Sequence, residues 1–219
     1  MGDTEAIAAA LSNLADVVLR LDRHDEAEQL LQQSLALFAE LGDENGVAWC
    51  CNHLGDVAAA SGQRGEARRL YERGATIFTS TGNGWGLARS MCDLGYLACD
   101  DGDIESAGAA FRQAMAIFGE LRHKRGITAA LEGFARLALD SGQPGRALTL
   151  TAAAAAFRRA AGGVGRWEHE QRLERIRELA AGRCDTGSAD AHRRIGSSMT
   201  FDDAVAYALT TAEVTMPLR

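Results

Sequence analysis

The sequence predicts an all-α fold of about four stacked helix pairs closed by C-terminal capping helices, on three observations. An apolar residue followed by a very small one recurs with a period of forty, at Leu14-Ala15, Leu54-Gly55, Leu94-Gly95 and Phe134-Ala135. An alanine stands twelve places beyond each small residue, at Ala27, Ala67, Ala107 and Ala147. Aromatics recur in the same register at Phe38, Phe78 and Phe118, with Phe157 one place out of step. A period of this length marks one supersecondary unit, duplicated and stacked so that each copy buries the face its neighbour exposes.

The repeats fall at about residues 5–44, 45–84, 85–124 and 125–161. In the second, Val47, Cys50, Cys51, Leu54, Val57 and Ala58 follow the three-and-four spacing of an amphipathic helix, and Ser61-Gly62-Gln63 breaks it. A second helix from Arg64 carries Ala67, Leu70, Tyr71, Ala75, Ile77 and Phe78 as its apolar stripe, and Gly82-Asn83-Gly84 ends it. Matching punctuation stands at Asp22-Arg23-His24-Asp25, Asp100-Asp101-Gly102-Asp103 and Ser141-Gly142-Gln143-Pro144, where Pro144 suits a helix first turn. Ala15, Gly55, Gly95 and Ala135 are expected to let each first helix approach its partner, with the alanines twelve places on as the opposing contacts.

Beyond the repeats, residues 166–182 read as a capping helix, with Leu173, Ile176 and Ala180 on one side of Trp167 to Ala181. Residues 183–219 read as a polar loop followed by a C-terminal helix. The loop is expected over Arg183 to Ala189 and a short helix over Asp190 to Gly196. Thr200 with Asp203 three later forms a capping box for a last helix that turns Phe201, Val205, Ala208 and Leu209 inward, with fraying from about Glu213.

Composition removes several function classes. The net charge of -7 argues against nucleic acid as a direct partner. Arg158 to Arg194 alone carries +3, leaving -10 elsewhere, but interspersed glutamates make it a solvated helix face. No apolar run of the length needed to span a membrane is present, and no basic-then-apolar leader opens the sequence, so a cytoplasmic location is expected. The 5 cysteines fit small core residues, and the histidines are scattered singly, so no cofactor or metal is expected. The acid pairs Asp100-Asp101 and Asp202-Asp203 lie at turns or a helix start, and no serine or cysteine has a histidine and acid partner in pattern. The expectation is a non-catalytic protein.

Leu54-Gly55, Ala58, Ala67, Tyr71 and Gly74, and again Leu94-Gly95, Ala98, Ala107, Phe111 and Ala114, resemble the tetratricopeptide repeat, lengthened here to a period of forty. The family's first-helix aromatic is replaced by Leu11, Cys51, Met91 and Leu131. The resemblance implies a right-handed superhelical solenoid whose first helices line a concave groove. A narrower likeness lies in segments such as Ala36 to Ala48, in Ala152 to Arg159 and in Met199 to Leu209. These resemble the C-terminal repeats of bacterial LuxR-type, SARP-type and cyclase-linked ATPase regulators, although neither a phosphate-binding loop nor a helix-turn-helix can be placed here.

By that resemblance the groove presents Trp49, Asn52, Asp56, Arg89, Tyr96, Glu132 and Arg136. A peptide or protein segment is the expected partner, with Trp49 and Tyr96 as apolar anchors and Asn52 holding a backbone amide. Trp49 is equally compatible with burial between repeats. A self-association element is the alternative function, as a homodimer through Glu5 to Leu21 with the alanine edge Ala6, Ala8, Ala9 and Ala10 at the contact.

Overall fold

The structure is a computed structural model and describes residues 2–161 and 167–210. Among these, 11 helices follow one another: α1 (Gly2–Leu19), α2 (His24–Leu41), α3 (Glu44–Ala60), α4 (Arg64–Ser80), α5 (Gly84–Asp100), α6 (Ile104–Glu120), α7 (Lys124–Asp140), α8 (Pro144–Ala160), α9 (Trp167–Ala181), α10 (Thr186–Ser198) and α11 (Phe201–Leu209). Two compact units emerge, Met1–Leu97 and Ala98–Arg219, and the division falls inside α5.

Punctuation between helices is stricter than the sequence clusters suggest. A left-handed residue closes each turn at regular intervals of twenty: Asp22, Gly42, Gly62, Gly82, Gly102, Arg122 and Gly142, all with positive φ. Glycine suits this conformation because it has no Cβ to clash, so Asp22 (φ 55°) and Arg122 (φ 50°) hold it at a steric cost. The next amide then reaches back to close the helix end, as in Asp43 N–H to the Phe38 carbonyl at 2.9 Å and Asn83 N–H to the Phe78 carbonyl at 2.8 Å. The same residue caps the following helix. Asp43 Oδ1 accepts from the Gly46 amide at 3.0 Å, Asn83 Oδ1 from Gly86 at 2.9 Å and His123 Nδ1 from Gly126 at 2.9 Å.

In the first unit, α1 packs on α2, α2 on α3 and α3 on α4. Ala15, Val18, Ala27, Leu31 and Val57 form one core cluster, and Ala58, Ala67, Tyr71 and Leu97 another. Burying side chains the size of Leu31 or Tyr71 contributes about 1.5–3 kcal/mol each. The small residue at Gly55 serves a different contact from the expected one. A Cβ there would lie 2.5 Å from the Tyr71 ring, so Gly55 makes room for an aromatic one helical turn beyond Ala67. Ala8 also corrects the exposed alanine edge: it is fully buried beside Phe38 and Cys50, and its carbonyl accepts from Ser34 Oγ at 2.7 Å.

In the second unit, α6 packs on α7, α7 on α8, and α9 on both α8 and α7. Leu173, Ile176 and Ala180 are buried on α9. Helix α10 starts at Thr186, inside the stretch expected to be a polar loop, because Asp185 Oδ1 caps the Ser188 amide at 2.9 Å. Its Gly196 lets it lie directly on α8, where a Cβ would meet the Thr149 carbonyl oxygen at 2.0 Å. Thr200 caps α11 through the Asp203 amide, and Phe201 stacks on Phe157 with centroids 5.0 Å apart. The expected fraying from Glu213 lies outside the described residues.

Candidate functional site

Within the first unit, α3 and α5 run side by side and the residues of one face of each meet in a seam. Helical spacing puts Trp49, His53 and Asp56 in a row on α3, and Trp85, Arg89 and Asp93 in a row on α5. At one end the seam is aromatic. The Trp49 ring lies 4.6 Å from Trp85 and 4.8 Å from Phe78, both tilted. Trp49 is half-buried and Trp85 is 43% exposed, so the pair presents an apolar surface to solvent.

At the other end the seam is ionic. Arg89 Nε donates to Asp93 Oδ2 at 2.7 Å and Arg89 NH2 to Asp56 Oδ2 at 3.2 Å. Tyr71 O–H donates to the other oxygen of Asp56 at 2.9 Å. Burial alone disfavours the Arg89 charge, but Asp93 and Asp56 outweigh it and hold the guanidinium more firmly protonated than usual. Burial, followed by the Asp56 carboxylate, pushes the Tyr71 phenol well above its ordinary range, so it remains a donor.

Below the seam lies a neutral lock. Asn52 is fully buried; its Nδ2 donates to Ser90 Oγ at 2.9 Å and its Oδ1 accepts from Ser90 at 3.0 Å. Gly74 makes the space, since a Cβ there would lie 2.2 Å from Asn52 Oδ1. Asn52 therefore ties α3 to α5 and does not present an amide to a ligand. His53 extends the face toward α1 through Ser12 Oγ at 2.9 Å.

The structure brings together Trp49, Asp56 and Arg89 of the residues read from sequence. Tyr96 is buried further along α5. Glu132 and Arg136 belong to the second unit. Glu132 is 2% exposed and pairs with Arg158 of α8, so it is a core residue. Arg136 donates to Asp140 at 2.6 Å and Asp100 at 3.0 Å; burial opposes its charge, but the Asp140 hydrogen bond and both carboxylates outweigh this and strengthen it. Trp85 was missed. Its signal lay in Gly82-Asn83-Gly84-Trp85, where the turn ends one residue short of the tryptophan.

The remaining chemistry is quiet. Burial pushes the Cys50 thiol to about 11 and the Cys99 thiol to about 12, so neither supplies a thiolate near neutral pH. Among the described residues, no group of three His, Cys, Asp or Glu side chains is placed to hold a metal ion, and no helix is long and apolar enough to cross a membrane. The second unit has its own concavity of about 150 Å³, lined by Ile104, Gly108, Phe134, Leu137, Arg146 and Leu209. There Arg146 NH2 donates to the carbonyls of Tyr207, Ala208 and Thr210 at 2.8, 3.0 and 2.7 Å, fastening the end of α11.

Antiparallel helix pairs in one repeated register, with a small residue seating an aromatic of the second helix, define the class as a helical repeat protein. Residues 6–80 match the tetratricopeptide repeat family, and the fold is an all-α solenoid like that of solved proteins with such repeats. BtubC (BKLC) from P. vanneervenii superposes with a TM-score of 0.65 at 19% identity, over 88% of this chain and 79% of that one. A putative kinesin light chain of Podosopora anserina with nearly identical TPR-like repeats gives 0.60 at 20% identity, over 90% and 97%. At these identities the likeness is one of fold. No curated protein matches the sequence.

Proposed function

We propose that this chain is a non-catalytic recognition module that takes a peptide or protein segment along the α3/α5 seam. The observation that carries this is the Trp49–Trp85 pair, 4.6 Å apart, half-buried at Trp49 and exposed at Trp85, at the head of a row that ends in the Asp56–Arg89–Asp93 network. A rigid aromatic anchor beside a fixed charge array is the composition of interface hot spots, and tetratricopeptide repeats commonly serve as interaction modules. The ionic network is internally satisfied. It therefore positions the seam, and the aromatic end supplies contact area.

The likeness of the tail to the C-terminal repeats of bacterial regulators supports a sensing role in a regulator inside the cell. The test is a display library of random peptides panned against the full chain. Wild type is expected to enrich a motif with an apolar or aromatic anchor. Trp85→Ala, checked by circular dichroism for unchanged helicity, is expected to lose at least tenfold in affinity for it. Equal binding by the two proteins would sink the seam as the site. Arg89 is a poor target for this test, because removing it leaves Asp56 and Asp93 facing each other and disturbs the fold.

A further inference from the structure

The charge of this chain is divided unevenly between its two units. Residues 1–97 hold 14 aspartates and glutamates against 7 arginines, whereas residues 98–219 hold 16 acids and 16 bases. The whole net charge of -7 therefore belongs to the unit that contains the α3/α5 seam. Within the seam this surplus has an address. Asp56 and Asp93 share one guanidinium, that of Arg89, so the network carries one net negative charge even with its hydrogen bonds made. The Asp16–Arg20 pair of α1 sums to zero and does not offset it.

Of the two carboxylates, Asp56 is the one solvent reaches better, its side chain 24% exposed against 10% for Asp93. One Asp56 oxygen accepts from Tyr71 and the other from Arg89, which uses two of the roughly four lone-pair positions of a carboxylate. The same two bonds hold it still, so a ligand meets an acceptor whose position is already fixed. Asp56 lies seven residues beyond Trp49 on α3, about 10.5 Å along the helix axis. An extended chain covers that distance in about three residues, at about 3.3 Å each. A base placed there gains a charge partner and an acid meets like charge, and the field of the whole first unit adds to that preference at longer range.

We propose that the partner of the α3/α5 seam is a basic segment. An apolar or aromatic side chain of an extended stretch lies on the Trp49–Trp85 surface, and a lysine or arginine about three residues away lies against Asp56. The proposal rests on the seam being the binding site and adds the chemistry of its occupant. A neutral peptide with the same anchor takes the aromatic end alone, and an acidic one is repelled.

The experiment pans a display library of random peptides on the full chain and then uses the best clone as a synthetic peptide. Enriched clones are expected to carry lysine or arginine in excess over aspartate and glutamate, about three residues from the anchor. Changing that base to glutamine in the peptide is expected to weaken binding about fivefold at about 50 mM salt, and much less at about 1 M, where charges are screened within about 3 Å. Asp56→Asn keeps an acceptor oxygen in the network, and its helicity is checked by circular dichroism. It is expected to cost the basic peptide about fivefold and the glutamine peptide nothing, because both changes remove the same contact. Clones with the anchor but no excess of base, or a basic clone indifferent both to loss of its base and to Asp56→Asn, overturn the basic partner; the seam itself stands if Trp85→Ala still weakens them. No enrichment at all, or binding unchanged by Trp85→Ala, overturns the seam and this inference together.

Discussion

The second and fourth repeats put different chemistry into one backbone slot. Asn52 and Glu132 lie two repeat lengths apart, and both are buried on a first helix. In the first unit the slot holds an amide that exchanges two hydrogen bonds with Ser90 of the next first helix. In the second it holds a carboxylate bound by Arg158 from the end of α8. A neutral pair leaves little behind when broken, whereas a buried ion pair leaves a charge. The repeat therefore fixes where a polar tether sits but not its nature.

Breaking the tethers should separate the two most sharply. Glu132→Ala takes the buried carboxylate away from Arg158 and is expected to cost about 3–5 kcal/mol by urea denaturation, while Glu132→Leu with Arg158→Met recovers most of it. Asn52→Ala should cost less, about 2 kcal/mol, and Asn52→Ala with Ser90→Ala should cost less than the two singly. If the amide change proved the larger, the ranking of charged over neutral tethers would be wrong here.

Junctions, unlike tethers, look the same in both units. A Cβ on Gly86 would stand 2.5 Å from the Phe78 ring, and one on Gly126 would stand 2.3 Å from the Phe118 ring. Gly86→Ala and Gly126→Ala are each expected to cost about 1–2 kcal/mol, and unequal thermal melts would show that the junctions differ after all. Smallest is a gain. Arg122→Gly relieves a left-handed arginine and should stabilise by up to about 1 kcal/mol, with Asp22→Gly gaining less because aspartate tolerates that conformation better.

Periodicity made the helices and their ends legible, because the residues that punctuate them do so locally. Gly46, Gly86 and Gly126 carried the same repeat signal and went unread, since a glycine inside a helix shows its purpose only beside the aromatic it accommodates. The site was less legible for a related reason. Spacing assigns Asn52 and Glu132 to a face, but whether a polar residue on that face is available depends on which group a neighbouring helix offers it. Ser90 and Arg158, far along the sequence from each, answered that question. The loop expected after Gly182 failed similarly, because Asp185 and the contact of α10 with α8 outweighed a polar composition.

The evenly spaced left-handed residues bear on how such a gene tolerates change. An in-frame loss or gain of one repeat's worth of codons removes or adds a whole unit and joins one junction to another of the same geometry. A loss of two codons within a helix turns everything downstream by about 200° about its axis and carries the core stripe into water. Variation in length should therefore accumulate in whole units, leaving the turns at Asp22, Gly42, Gly62, Gly82, Gly102, Arg122 and Gly142 as the natural points of recombination.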